Sequence, residues 1–97
     1  MTTQPTTPEP RFSLGQLVAT AAVHEAEDPL DVANAIWRHV RGDWGDLDAH
    51  DTAVNEAALV NEGRLLSSYL LPGTGNQVWV ITEADRSVTT VLYPSEY

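Results

Sequence analysis

Apolar residues recur at helical spacing after position 28 and mark the first predicted helix. Asp28 is a suitable N-cap and Pro29 suits the first helical position, so the helix should begin there. Gly42 can end it in a left-handed conformation. The predicted apolar face consists of Leu30, Ala33, Ile36, Trp37 and Val40.

A second helix is predicted from Asp48 or Asp51 to Glu62. Aspartates in a first turn lie near the positive end of the helix dipole, and Gly63 stands where helices commonly end. Small residues on this helix would allow close packing against a neighbour. Its apolar face is thin and consists of Val54, Ala57, Ala58 and Val60.

From position 64 onward, short apolar runs rich in β-branched and aromatic residues replace the helical spacing. Strands are predicted over 64–71, 77–82 and 88–93, with turns at 72–76 and 83–87. Such short connections favour an antiparallel meander. Because the run within 77–82 is apolar on both faces, this strand should lie in the middle.

The sequence predicts less regular structure in the N-terminal part of the chain. Residues 1–10 are rich in threonine and proline and should form a disordered tail, without the charge and apolar pattern of a signal peptide. An edge strand or extended arm is predicted over 12–20, and a short helical turn over 21–26. The remaining 11–97 would form one α+β domain, in which two or three helices cover a small antiparallel sheet of three or four strands.

Charge and composition narrow the classes of function. The 97 residues carry a net charge of −9 and include neither lysine nor cysteine. Nucleic-acid backbones are bound through basic residues, so we expect no direct binding of nucleic acid. Without cysteine there can be no disulfide or thiolate metal site, and a cytoplasmic location is the natural interpretation. No apolar run approaches the roughly 20 residues of a membrane-spanning helix.

The acidic residues are concentrated between the two predicted helices. Residues 43–63 contain six carboxylates and no lysine or arginine, which suits a basic protein partner, although acidity can also serve solubility alone. Loop 43–51 adds a tryptophan and one glycine, and a second glycine, Gly42, directly precedes it. It is either a structural corner pinned by its tryptophan or a binding surface. The candidate binding residues are Asp43, Trp44, Asp46, Asp48 and Asp51, with Arg86 in support.

Metal sites fit the pattern poorly. A helix–loop–helix calcium site needs oxygen ligands at fixed positions, and starting the loop at either Asp43 or Asp46 places unsuitable residues at several of them. His24, His39 and His50 lack the close spacing of a zinc motif. The sequence therefore predicts no metal and no cofactor. His39 should be a residue of the helix end, off the apolar face, and the three tryptophans are most simply core residues.

One enzymatic alternative remains open. Small metal-independent ribonucleases need a general acid or base, a cation for the developing phosphate charge, and hydroxyl donors. His39, Arg86 and Thr89 or Thr90 could supply these roles. A structural interpretation of Arg86 is equally good, since Asp85 and Arg86 lie in a predicted hairpin turn. The negative charge of the chain opposes RNA binding.

Three blocks of sequence resemble a family of small bacterial proteins found on plasmids, prophages and genomic islands. They are GDWGDL at 42–47, RLLS at 64–67 followed by Tyr69, and WVITEADRSVTT at 79–90 leading to PSEY at 94–97. Many such proteins are labelled plasmid-related, or type I restriction endonuclease subunit M. No Gly-rich cofactor loop of a methyltransferase is present. The resemblance implies an accessory protein of a mobile element, of unknown activity, and makes interference with host defence or support of plasmid maintenance a reasonable hypothesis. From the acidic segment we expect a non-enzymatic protein that acts through a protein partner.

Overall fold

The computed structural model describes residues 9–97, so nearly all of the predicted tail over 1–10 lies outside the described residues. The α+β class is confirmed, because the described chain combines three α-helices with one four-stranded sheet. Its elements are β1 (Gln16–Ala19), α1 (Ala21–Ala26), α2 (Pro29–Val40), α3 (Ala49–Asn61), β2 (Leu65–Leu70), β3 (Gln77–Thr82), β4 (Val88–Leu92) and a 3-10 turn at Pro94–Glu96.

The predicted C-terminal meander is confirmed. β3 pairs antiparallel with β2 on one side and with β4 on the other, so that Val80 lies opposite both Ser67 and Val91. The strands are one residue shorter at several ends than predicted over 64–71 and 88–93. The two-sided apolar character of β3 therefore identified the central strand of the meander correctly.

The N-terminal strand corrects one feature of the prediction. β1 does form an edge strand, but it pairs parallel to β4 in the order β1-β4-β3-β2, so the sheet is mixed and not wholly antiparallel. The physical reason is the connection. Three helices and two strands separate β1 from β4, a length that allows the chain to return in the same direction.

Local capping signals place the first two long helices as predicted. The Asp28 carboxylate accepts a hydrogen bond from the Leu30 amide at 2.8 Å, and Pro29 occupies the first turn of α2. Asp48 caps α3 in the same way through the Asp51 amide, also at 2.8 Å. These side chains satisfy amides that have no partner within the helix.

The predicted face of α2 is only partly right, since Val40 is buried and Ile36 packs against the core but the other three members are exposed. The helix turns Ala35, His39 and Val40 inward, whereas Leu30 is 78% exposed and Trp37 is 40% exposed. Apolar residues lie on two sides of this helix, so the spacing alone did not decide which side meets the sheet. The inward side is the one whose histidine finds hydroxyl partners on β2 and β3.

The predicted face of α3 is also largely wrong. Val54 and Val60 are exposed, while Asn55 and Ala58 are buried. The helix lies beside the edge of β2, where backbone groups need polar partners. The Asn55 amide bonds both the C=O and the N–H of Leu66, at 2.6 and 3.1 Å. A polar side chain thus occupies the centre of the buried face.

Two apolar clusters hold these layers together. The larger lies between the sheet and helices α1 and α2 and includes Val23, Ala35, Tyr69, Leu71, Val78, Val80 and Val91. The smaller joins Trp44, Ala58 and Leu65, with Phe12, Leu47 and Leu59 packed against it. Of the three tryptophans predicted as core, only Trp44 is buried, because Trp37 and Trp79 keep part of their surface exposed.

Within residues 9–97, no helix has the length and apolar character needed to cross a membrane.

Candidate functional site

Loop 43–51 begins with a charged anchor on α2. Gly42 leaves the helix at a φ of 85°, and the Asp43 carboxylate then turns back to Arg38, with N···O distances of 2.7 and 3.2 Å. The same carboxylate accepts the Gly45 amide at 3.3 Å. The bond from Arg38 lowers the pKa of Asp43, so this carboxylate stays ionised and holds the loop entry.

Trp44 fixes the middle of the loop in the smaller core cluster. Its ring is 4% exposed, lies 6.2 Å from the Phe12 ring and meets the His39 ring edge-on. The indole N–H donates to Glu56 at 2.8 Å, and Glu56 also pairs with Arg11. These contacts favour the structural-corner interpretation for Trp44, since little of its surface remains for a partner.

The loop also extends the sheet beyond β2. Gly45 forms a parallel bridge with Ser68, in which the Ser68 amide donates to Trp44 at 3.1 Å and the Asp46 amide donates to Ser68 at 2.7 Å. Together with the Asn55 bonds to Leu66, this pairing occupies the outward backbone groups of Leu66 and Ser68 on β2. The backbone of 44–46 is therefore a short additional strand that closes the edge.

The four aspartates of the loop divide into two pairs. Asp43 binds Arg38 and Asp48 caps α3, so both have structural partners. The side chains of Asp46 and Asp51 are exposed and line the same groove. The structure thus brings together two of the predicted binding residues.

This groove, called the acidic groove below, has a volume of about 450 Å³ and lies on the sheet face turned away from α2. Side chains alternate between the two faces of a strand, so Leu66 and Ser68 point to the groove while Ser67 points to His39. Its lining comprises Asp46, Leu47, Asp51, Val54, Asn55, Arg64, Leu66, Ser68, Gln77, Trp79 and Tyr97.

An aromatic pair forms the far wall of the acidic groove. The Trp79 and Tyr97 rings meet edge-on with centroids 5.4 Å apart. Arg64 donates to the Tyr97 hydroxyl at 2.6 Å, stands 5.3 Å from the ring centroid and pairs with Glu83. The arginine is therefore held by its own neighbours, and the two aspartates provide carboxylates at the opposite rim. Sequence reasoning missed this wall because it treated Trp79 as core and gave Tyr97 no role.

The residues of the ribonuclease hypothesis do not share one environment. His39 is fully buried, and its ring nitrogens meet the hydroxyls of Ser67 at 2.5 Å and Thr82 at 2.9 Å. Thr82 bonds Thr89, which donates to the carbonyl of Leu14. This chain of bonds assigns a proton to Nε2 of His39 and leaves Nδ1 to accept from Ser67.

Burial lowers the pKa of His39 to about 3, and the nearby positive charge of Arg86 acts in the same direction. The imidazole is therefore neutral at physiological pH. Arg86 itself donates to the backbone carbonyls of Gly63, Glu83 and Ala58, and Asp85 accepts the Ser87 amide. These bonds match the structural interpretation of the hairpin turn.

Thr90 lies on the opposite face of β4 from Thr89, pairs in register with Ile81 and is partly buried. The four residues proposed for ribonuclease chemistry therefore do not converge on an open cleft: His39 and Thr89 are interior, and the Phe12 ring lies against both His39 and Arg86. This arrangement favours structural roles for all four.

A further buried carboxylate escaped the sequence analysis. Glu27 follows α1 and accepts bonds from Thr74 at 2.6 Å, Asn76 at 2.8 Å and Tyr93 at 2.5 Å. These donors lower its pKa in spite of burial, the Thr74 bond having the largest effect. Its position ties the α1–α2 junction to the turn before β3 and to the end of β4. All three donors are distant in sequence, so no local signal pointed to it.

Among the described residues, no three histidine or acidic side chains come close enough to hold a metal ion. The aspartates of loop 43–51 and the histidines at 24, 39 and 50 are thus dispersed over several environments.

Comparison with known proteins adds no relative, since no family model, no curated protein and no solved structure matches the chain. The resemblance to plasmid-associated proteins stays a prediction.

Proposed function

We propose that this chain is a non-catalytic binding protein that takes a basic and apolar segment of a partner protein into the acidic groove. The observation that carries the proposal is the meeting of Asp46 and Asp51 with a floor and wall of apolar side chains. An ionised carboxylate at the rim of an apolar surface suits a lysine or arginine next to a hydrophobic residue. The partner's hydrophobic side chain would contact Leu47, Val54 and Trp79.

Charge distribution supports a basic partner. The net charge of −9 and the six carboxylates within 43–63 create a negative field around the groove, and such a field speeds the approach of a positively charged molecule. Arg64 lines the groove but is already paired with Glu83. Complementarity therefore favours a cation at the Asp46 and Asp51 side.

The resemblance to mobile-element proteins gives this activity a setting. A small acidic protein that binds basic segments could occupy the nucleic-acid site of a host protein and so interfere with host defence. Such a role places the protein in the cytoplasm and requires neither a metal nor catalysis. Direct nucleic-acid binding is not expected, because the chain has a net charge of −9 and no lysine to contact phosphate groups.

The test uses a fluorescent peptide of alternating arginine and leucine as the probe. Fluorescence anisotropy should show salt-sensitive binding to the wild type, and the double variant Asp46→Asn/Asp51→Asn should bind less tightly by about tenfold, equivalent to about 1.4 kcal/mol. In NMR spectra the peptide should shift the signals of Leu47 and Trp79. A peptide of glutamate and leucine should not bind.

A control of equal charge separates groove binding from general attraction. Glu25→Gln/Glu62→Gln removes two exposed carboxylates that do not line the groove, so it should bind the arginine peptide nearly as well as the wild type. An equal loss in both double variants would mean that only net charge matters. NMR shifts confined to residues outside the groove would also reject the proposal.

A further inference from the structure

The outer edge of β1 presents a regular pattern of backbone groups. The Gln16 amide donates to the carbonyl of Ser87, just before β4, and the Thr20 amide donates to that of Val91 on β4, both at 3.0 Å. In a parallel pair the N–H and C=O of alternate residues point to the same side. Gln16, Val18 and Thr20 therefore face β4, and the N–H and C=O of the two residues between them face away. No strand of residues 9–97 lies on that side of β1.

The side chains of this edge are apolar and uncharged. Leu17 is 53% exposed and Val18 is 41% exposed. Natural edge strands are commonly protected by charged residues, by proline or by a bulge, yet residues 12–20 contain no charged residue and no proline. In a chain of net charge −9 the edge of β1 is an uncharged strip.

We propose that β1 pairs antiparallel with β1 of a second copy of this chain. A two-fold axis through Val18 sets Leu17 opposite Ala19 of the second copy. Each such pair exchanges two backbone hydrogen bonds, so the four outward-facing groups of one copy meet the four of the other. Val18 then lies against Val18 of the second copy, and the two sheets become one sheet of eight strands.

The charge distribution favours a second copy at this edge. The acidic loop 43–51 lies beyond β2, at the opposite end of the sheet. With strands about 4.8 Å apart, the loops of two joined copies would be roughly 40 Å from each other. That distance is several Debye lengths, about 8 Å each at physiological salt, so their repulsion is screened. A basic partner, by contrast, is attracted to the acidic groove and not to this strip.

The experiment exploits the symmetry at Val18. Val18→Lys and Val18→Glu each place like charges directly opposite across the axis, which destabilises antiparallel pairing. By size-exclusion chromatography with light scattering, the wild type should have twice the chain mass of 10.6 kDa. Each variant alone should be monomeric. An equal mixture of the two variants should form dimers again, since opposite charges then meet.

Circular dichroism must show that both variants remain folded, as expected for an exposed side chain. A wild type that is monomeric at all concentrations would overturn the proposal, and so would a variant that still dimerises alone. Amide hydrogen exchange gives an independent measurement: the Leu17 and Ala19 amides should exchange more slowly as the wild-type concentration rises. Slow exchange in the monomer would show that another segment of the chain covers the edge, which also overturns the proposal.

Discussion

The two edges of the sheet are finished in different ways. At β2 the backbone of 44–46 pairs with the outward groups of Ser68, and the Asn55 side chain pairs with those of Leu66. At β1 no described strand lies beyond the edge, and Leu17 and Val18 are exposed. An edge with unpaired backbone groups can recruit another chain. The molecule therefore closes the edge beside its acidic groove and leaves the opposite one available.

This difference explains the unusual composition of loop 43–51. Trp44 anchors the short additional strand, Gly45 lets it approach β2, and Asp43 and Asp48 secure its two ends. The loop is thus both a structural corner and the support for the acidic groove. The sequence posed a structural corner and a binding surface as alternatives. Asp43, Trp44 and Asp48 make the contacts of a corner, whereas Asp46 and Asp51 line the acidic groove, where binding stays a proposal.

The largest expected effect comes from removing the anchor of the closed edge. Trp44→Ala should reduce the free energy of unfolding by about 3–5 kcal/mol, the usual range for truncating a buried large aromatic residue. Trp37→Ala is the matched control. Because Trp37 is 40% exposed, its loss should cost about 1 kcal/mol. Urea unfolding followed by circular dichroism measures both values.

If the Trp44→Ala chain does not fold, Trp44→Phe keeps an aromatic ring but removes the indole N–H that bonds Glu56 and leaves a small cavity. That variant should lose about 1–3 kcal/mol. Similar costs for Trp37→Ala and Trp44→Ala would contradict the assignment of Trp44 as the anchor.

A smaller effect should follow from crowding the closed edge. A Cβ at Gly45 would lie 1.9 Å from the Ser68 carbonyl oxygen, and the residue has a φ of 75°. Gly75 has nearly the same φ of 73°, but a Cβ added there would meet no atom within 4 Å. Gly75→Ala should therefore reduce the free energy of unfolding by about 1–2 kcal/mol, the cost of the left-handed backbone conformation alone. Gly45→Ala should cost about 1–3 kcal/mol more, from overpacking.

The same denaturation measurement compares the two alanine variants. Hydrogen exchange at the Ser68 amide should quicken in Gly45→Ala and stay slow in Gly75→Ala, because only the first variant disturbs the bond to Trp44. Equal stability losses would mean that the close approach of Gly45 to β2 is unimportant.

Local sequence signals predicted much of the fold. Asp28 with Pro29 located the start of α2, and the two-sided apolar run at 77–82 identified the central strand of the meander. Each signal depends on residues within a few positions of each other. Prediction failed where distant partners decide the outcome. The inward face of α2 is set by His39, whose partners Ser67 and Thr82 are 28 and 43 residues away.

The candidate site was predicted only in part for the same reason. The concentration of carboxylates in loop 43–51 identified Asp46 and Asp51 as candidates, and both line the acidic groove. The opposite wall consists of Trp79 and Tyr97, which reach the loop only through the folding of the sheet. No spacing rule connects residues so far apart, and the direction of β1 depends on tertiary packing in the same way.

The smallest effect concerns the buried network that runs between the two edges. Ser67 on β2, His39, Thr82 on β3 and Thr89 on β4 are bonded in series, ending at the Leu14 carbonyl just before β1. His39 is neutral in the folded chain, with a pKa lowered from 6.5 to about 3 by burial and by Arg86. Below pH 6.5 the His39 side chain binds a proton in the unfolded chain but not in the folded chain. The free energy of unfolding should therefore decrease as the pH is lowered, by about 1.4 kcal/mol per pH unit.

Lowering the pH from 7 to 5 should therefore cost the wild type about 2 kcal/mol through His39. The carboxylates with lowered pKa, including Asp43, Glu27 and Glu56, lose their contribution mainly at lower pH. His39→Gln should be less stable at pH 7 but nearly insensitive to this interval, whereas the exposed-site control His50→Gln should keep the wild-type slope. NMR supplies a second measurement in the wild type: the His39 ring signals should not titrate between pH 7 and 5. Titration of the His39 ring near pH 6.5 would show that this imidazole is accessible to solvent. The continuous series of hydrogen bonds from Ser67 to Leu14 would then be rejected.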